Sequence, residues 1–262
     1  MTRLLGLYAA AAYAFLHLPL LVLVVFSFNT SRFTVWEGFS LHWYQAALRN
    51  QQLVEAAVNS LVVAVVSTLV SGAIGVLCAY GLWKRRSRVL ASTLYLTLVT
   101  PEIVTGVSLL AFFQALFRFF DARLGLHSVI LAHIAFSIAY VVVVVMASLR
   151  TMDPVLEEAA LDLGASEWSA FRRVTLPLLL PAITAATLLA FTVSFDDYVI
   201  TSLVAGVDSE TLPMVIYAMA RRGANPEVNA ISALIVCGLG VLILVSGRLQ
   251  LGSGPSRSAG EV

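Results

Sequence analysis

Asp153-Pro154-Val155-Leu156-Glu157-Glu158-Ala159-Ala160-Leu161-Asp162-Leu163-Gly164-Ala165-Ser166-Glu167-Trp168, running on to Val174-Thr175-Leu176-Pro177, is a polar interruption between two long hydrophobic segments. Its residues predict a compact, folded loop. Asp153 can cap the free N–H groups of a helix, and Pro154 suits its first position. Glu157 and Glu158 fall near the positive end of that helix dipole. Leu156, Ala159, Ala160 and Leu163 follow the i, i+3, i+4, i+7 rule and give one small apolar face. Gly164 can take the left-handed conformation that ends the helix. A second short helix fits Ser166 to Val174, with Pro177 limiting its extension.

The surroundings of this loop are apolar. The chain has 262 residues, 60% hydrophobic and 12% charged, with a mean hydropathy of +0.91. A soluble domain carries about twice that charged fraction, so the composition is that of an integral membrane protein. The net charge of +1 gives no reason to expect nucleic acid as a partner. Cys78 and Cys237 lie inside apolar segments and read as small hydrophobes rather than a disulfide or metal site. The run after Arg3 is too long for a signal-peptide core and reads as the first membrane helix.

A membrane span needs about 20 apolar residues. Six segments qualify, at 4–28, 56–83, 89–117, 128–149, 178–204 and 228–247. No soluble domain fits between them. With the N-terminus inside, the inner side holds Arg3, Lys84-Arg85-Arg86 with Arg88, Arg150, Arg172, Arg173, Arg248 and Arg257. The outer side holds Arg32, Arg49, Arg118, Arg123, Arg221 and Arg222. The excess is strongest in the short second loop, where the positive-inside rule is most reliable. The same orientation puts the Glu158 loop in the cytoplasm, with both termini. In the first outer loop, Phe33, Trp36, Phe39, Trp43 and Tyr44 suit a headgroup belt; substrate stacking is the competing reading. A short surface helix fits Thr211 to Ala220. The Gly/Ser/Arg-rich tail, 252–262, reads as disordered.

Ionisable residues inside a span cost about 2.5–3.5 kcal/mol each at the centre and by default mark a pathway. Glu102 follows Pro101, about thirteen residues into the third span. At about 1.5 Å per residue it lies roughly 20 Å along that helix, with a kink allowed at the proline. Asp196 and Asp197 lie in the outer half of the fifth span. On a continuous helix Ser194, Asp197, Tyr198 and Thr201 share a face that suits a protonated amine. Asp196 points about 100° away, so one of the two carboxylates can serve packing instead. A purely structural role, paired with an arginine or exposed at the membrane edge, stands beside the functional one for both aspartates and for Glu102. His17 and His133 read as core or interhelical hydrogen-bond residues, and Ser71, Gly72 and Gly75 as allowing close helix packing.

Glu158-Ala159-Ala160, three residues, Gly164, nine residues, then Val174-Thr175-Leu176-Pro177 resembles the EAA loop of ABC-importer permeases, with Val174 where the pattern has Ile. Thr100-Pro101-Glu102 to Leu110, Ser194 to Thr201 and Asn225-Pro226-Glu227 to Ala230 are similar to segments of the spermidine/putrescine permeases of that family. The likeness runs from Ser27-Phe28-Asn29 onward. It implies an all-α integral membrane protein with the type I ABC-importer fold, a permease domain over 1–251, and a coupling helix in the 153–177 loop. The resemblance assigns ATPase coupling to Glu158, Ala159, Ala160, Gly164, Ala165, Ser166, Leu176 and Pro177. It assigns the substrate pathway to Glu102, Asp196, Asp197 and Tyr198, to which the shared helix face adds Ser194 and Thr201. The implied partners are a second, distinct permease subunit, two cytoplasmic ATPase subunits, and a periplasmic or extracellular solute-binding protein. The implied setting is a bacterial inner membrane. ATP and Mg belong to the partner ATPase: no phosphate-cradling Gly-x-x-x-x-Gly-Lys-Ser/Thr segment occurs here, so no cofactor, metal or covalent chemistry is expected of this chain. The expected solutes are putrescine and spermidine. An aminophosphonate or similar solute, an ion-driven transporter without an ATPase, and a membrane-embedded enzyme are the other readings. No nucleophile–base or metal-ligand constellation supports the last.

Overall fold

The computed structural model describes residues 2–32, 35–85, 87–223 and 226–252. Expectations that fall on Phe33, Arg86, Asn225, Arg257 and the tail 253–262 lie outside the described residues. An apolar chain in lipid must satisfy its backbone polar groups internally, which favours helices. The described elements are α1 (Thr2–Phe26), α2 (His42–Arg49), α3 (Gln51–Arg85), α4 (Arg88–Val99), α5 (Glu102–Phe120), α6 (Leu126–Thr151), α7 (Val155–Asp162) and α8 (Glu167–Ala170). A π-helical turn (Phe171–Thr175) follows, then α9 (Leu176–Asp196), α10 (Val199–Val204), α11 (Leu212–Arg221) and α12 (Pro226–Gly252). Among the described residues six helices are long and apolar enough to cross a membrane: Leu4–Phe26, Gln51–Arg85, Glu102–Phe120, Leu126–Thr151, Glu167–Asp196 and Pro226–Val245.

Several expected boundaries change. The second span starts at Gln51 rather than near residue 56, and α2 precedes it in what reads as a loop. The third is not a kinked helix over 89–117. It is two helices parted at Thr100-Pro101, and Glu102 sits in the first turn of α5. Pro101 has no N–H and holds Thr100 extended (φ −66, ψ 130), which ends α4. The fifth span is broken too, at Asp197 (φ −67, ψ 124), so 178–204 is not one helix. Pro177 does not stop the second loop helix. The chain stays helical from Glu167 to Asp196, and the wider π turn just before the proline absorbs its missing N–H and ring, with Leu176 N–H donating to Phe171 O.

The chain forms two compact units. In the unit of Met1–Ala57 and Leu212–Val245, the apolar stretch of α1 has no buried residue and is exposed over most of its length. The loop after it is folded. Trp43 is buried, and its Nε1–H donates to Asn29 O at 2.8 Å. Phe28 stacks on Phe39 at 5.2 Å.

The unit of Val58–Thr211 and Ser246–Val262 has two apolar clusters. One joins Val76, Ala79 and Leu82 of α3 to Val141, Val145 and Leu149 of α6, Phe171 of the π turn, and Leu179 and Ala186 of α9. The other joins Val63, Phe113 of α5, Val129 and Phe136 of α6, and Ile200 and Val204 of α10. Helix approach is set by missing side chains. A Cβ on Gly75 would lie 2.6 Å from Val141 Cγ1, and one on Gly106 would lie 2.6 Å from Leu203 Cδ1. Lipid supplies little hydrophobic drive between helices, so such close approach matters more there.

Candidate functional site: a loop knob and a cavity at two helix breaks

The loop after α6 is built as its residues suggest. Asp153 Oδ1 accepts the N–H of Val155 at 3.0 Å, and Pro154 (φ −65, ψ −21) leads into α7. Gly164 is left-handed at φ +87. Gly164 N–H donates to Leu161 O and Ala165 N–H to Ala160 O, the paired bonds of a Schellman end. Ser166 Oγ caps α8 by accepting the N–H of Ser169 at 3.3 Å.

The faces of α7 are inverted relative to a soluble protein. Leu163 is 90% exposed and Leu156 49% exposed, and Trp168 on α8 is also exposed. Ala159 and Glu158 are exposed as well, with Ala160 and Ala165 half-buried. What turns inward is Glu157, 1% exposed. Its carboxylate accepts Tyr80 O–H at 2.6 Å and Thr175 Oγ1–H at 2.8 Å, and pairs with Lys84 Nζ at 2.6 Å. Burial alone pushes the Glu157 carboxyl up; the hydrogen bonds from Lys84, Tyr80 and Thr175, with the Lys84 charge, outweigh it and hold the group below its ordinary value. Phe171 packs on Tyr80 at 4.5 Å between ring centroids. One buried carboxylate thus ties α7 to the end of α3 and to the π turn that starts α9. Leu176 is half-buried at the head of α9, and Pro177 is exposed.

The sequence pattern pointed to Glu158 and missed Glu157, Tyr80, Lys84 and Thr175 as a unit. The only local sign was two adjacent glutamates at positions that cannot share one helix face.

The second site lies where the two broken spans meet. A cavity of about 90 Å³ is lined by Thr97, Leu98, Thr100, Glu102, Thr105, Phe136, Tyr140, Val193, Asp197 and Ile200. It brings Glu102, at the start of α5, to the same space as Asp197, between α9 and α10. Asp197 caps α10: Oδ1 accepts Ile200 N–H at 3.3 Å, and Oδ2 accepts Thr201 N–H and Thr201 Oγ1–H, both at 2.8 Å. That local capping competes with continuation of α9 and accounts for the break.

Of the other pathway candidates, Ser194 and Thr201 are buried and meet on His133. They do so across the break, not along one helix face. Asp196 is exposed at the end of α9, and Tyr198 is half-buried within the break. Neither is among the described residues lining the cavity.

Comparison with known proteins follows the same lines. Residues 71–256 match the family described as binding-protein-dependent transport system inner membrane component. The chain is 38% identical over 261 residues to the spermidine/putrescine transport system permease protein PotC of Escherichia coli (strain K12), covering 98% of this chain and 97% of that protein. It is 40% identical over 245 residues to the putrescine transport system permease protein PotI of the same strain, covering 91% and 87%. Among solved structures it resembles a chain of a bacterial alginate ABC transporter in complex with an alginate pentasaccharide-bound periplasmic protein, with a TM-score of 0.72, 17% identity, and coverage of 95% and 93%. It also resembles a chain of the MetNI methionine ABC transporter, with a TM-score of 0.65, 18% identity, and coverage of 76% and 95%. At those identities the structures speak for the fold alone.

Proposed function

The chain belongs to the family of binding-protein-dependent transport system inner membrane components, and on that premise we propose that it is one permease subunit of an ATP-driven importer of putrescine or spermidine. It works in a bacterial inner membrane beside a second permease subunit, two cytoplasmic ATPase subunits and an external solute-binding protein. Both termini and the Glu158 loop face the cytoplasm. ATP and Mg are handled by the partner ATPase, and this chain makes and breaks no covalent bond.

The observation that carries the substrate is the cavity at the two helix breaks. Among its described lining residues are two carboxylates, Glu102 and Asp197, two aromatic rings, Phe136 and Tyr140, and three threonines. Carboxylates and ring faces attract ammonium groups, and hydroxyls can complete their hydrogen bonds. A space of about 90 Å³ has room for one aminoalkyl end of putrescine or spermidine. Among the described lining residues there is no cation to meet the negative charge of an aminophosphonate.

The coupling route runs through α9. The exposed face of α7 and α8 docks on the ATPase, and Glu157 and the π turn make the loop move as one piece with α9. That helix has 21 residues, about 30 Å of rigid rod at about 1.5 Å per residue, and its far end is the break at Asp197. Tilting the rod at the loop therefore moves one wall of the cavity, alternately opening and closing it.

The test is uptake of labelled putrescine and spermidine by a strain lacking this chain and any redundant importer. Restored uptake on adding the wild-type chain, and not on adding the Glu102→Gln/Asp197→Asn pair, supports the reading. Unchanged uptake without the chain overturns it.

A further inference from the structure

His133 lies in the span Leu126–Thr151 with 0% exposure, and the import route described above does not use it. Its ring reaches both sides of the break in the fifth span. Nδ1 is 2.7 Å from Ser194 Oγ, on α9. Nε2 is 2.9 Å from Thr201 Oγ1, on α10. Nε2 also lies 3.4 Å from Asp197 Oδ2, longer than a charge-assisted hydrogen bond.

The proton positions follow from the partners. A carboxylate only accepts, so the Thr201 hydroxyl donates to Asp197 Oδ2 at 2.8 Å. The Thr201 oxygen then accepts from His133 Nε2–H. On the other side of the ring Nδ1 meets the Ser194 hydroxyl at 2.7 Å. Ser194 Oγ also pairs with Ser67 Oγ of α3 at 2.9 Å, and the Ser67 hydroxyl has Ala64 O within reach at 3.3 Å. Ser67, Ser194, His133, Thr201 and Asp197 thus form one chain of bonds, and from His133 Nε2 through Thr201 the donors point toward the carboxylate. Such a chain polarises itself, and its strength depends on the charge at its end.

We propose that His133 is a positioning residue for cation recognition: acting through Thr201, it orients the Asp197 carboxylate at the cavity and ties the two halves of the fifth span together while the site is empty. This rests on the reading that the cavity receives a cation. Asp197 Oδ2 is engaged by Thr201, whereas Oδ1 takes the single bond from Ile200 at 3.3 Å. Oδ1 is the oxygen with capacity left for an ammonium group. A cation there draws charge away from Oδ2, weakens the pull on the relay and loosens the tie between α6 and α10. Occupancy of the cavity is converted into freedom of the helix break. A histidine that merely fills space would not link these events.

The experiment uses the complete importer reconstituted in vesicles with its binding protein, reading KM and kcat for putrescine uptake. His133→Phe and Thr201→Val are expected to raise KM about fivefold or more, while His133→Gln, whose amide can donate where Nε2 does, stays within about threefold of wild type. Combined with Asp197→Asn, neither His133→Phe nor Thr201→Val adds a further loss, because both act through that carboxylate. Equal losses for Gln and Phe, or losses that multiply in the double variants, overturn the proposal. Should the Phe variant fail to assemble, the nearly isosteric Thr201→Val and its pairing with Asp197→Asn decide the matter alone. Wild-type KM in both Glu102→Gln and Asp197→Asn overturns the cavity reading, and this proposal with it. Impaired Asp197→Asn beside unaffected Thr201→Val and His133→Phe overturns only the role of His133.

Discussion

Replacing Glu157 by alanine removes the inward-facing contact of the loop and leaves the exposed motif residues untouched. The cost can be worked from its three partners. The Thr175 hydroxyl is fully buried and is left without its acceptor, which costs about 1–3 kcal/mol. Tyr80 is half-buried and loses one bond, about 1 kcal/mol. The Lys84 side chain is 38% exposed, so its ammonium rehydrates and its share is that of a surface pair, about 0–1 kcal/mol. Together the loss is about 3 kcal/mol, concentrated at the junction of α3, α7 and the π turn. Glu157→Gln keeps one carbonyl oxygen for three donors and should fall about midway. The assay is thermal unfolding of the purified complex, paired with the amount of ATPase that copurifies. The Ala variant should unfold at a clearly lower temperature and retain little ATPase. If both readouts match wild type, the junction is not what holds the loop. The acid dependence has a definite sign. The folded Glu157 is held below its ordinary value, so its contribution is fully present at neutral pH. It fades only as the medium falls below about pH 4.3 and through the lowered folded value.

Leu163 is 90% exposed, so Leu163→Asp should change the stability of the isolated permease by no more than about 0.5 kcal/mol. Capture of the ATPase in pull-down should nonetheless drop sharply; full capture would place docking elsewhere. At Gly164, φ is +87 with open space around a Cβ, so the penalty for Gly164→Val is conformational, about 1–2 kcal/mol, with Gly164→Asn milder; transport assays on the two should rank in that order. Gly75→Leu must push α3 away from Val141 on α6 and should cost about 1–3 kcal/mol. Gly81→Leu, with nothing within 4 Å of its Cβ, is the control that thermal unfolding should find tolerated.

Part of this protein is written locally, and that part can be read without coordinates. Membrane spans are decided by apolar length, because lipid leaves a segment few other ways to satisfy its backbone. The ends of α7 are set by Asp153, Pro154 and Gly164 within one helical turn. The spacing from Glu158 to Pro177 belongs to one contiguous stretch, so the loop and the kind of machine it serves were legible. The proline at position 101 marked a disturbance, although a kink and a full break look alike in sequence.

What tertiary structure decided is which polar groups meet. Glu157 finds Tyr80 77 residues away, and His133 finds Ser194 61 residues away. Neither pairing has a sequence period, since it depends on how α3, α6 and α9 are rotated about their axes, and that rotation is set by shape at positions such as Gly75 and Val141. The break at Asp197 was hidden for the same reason. Asp197, Tyr198 and Thr201 lie as readily on a continuous helix as on a capped restart, and buried contacts with His133 accompany the restart. Local chemistry supplied the rods and the knob; only packing could turn Glu157 inward and bring Glu102 and Asp197 to one cavity.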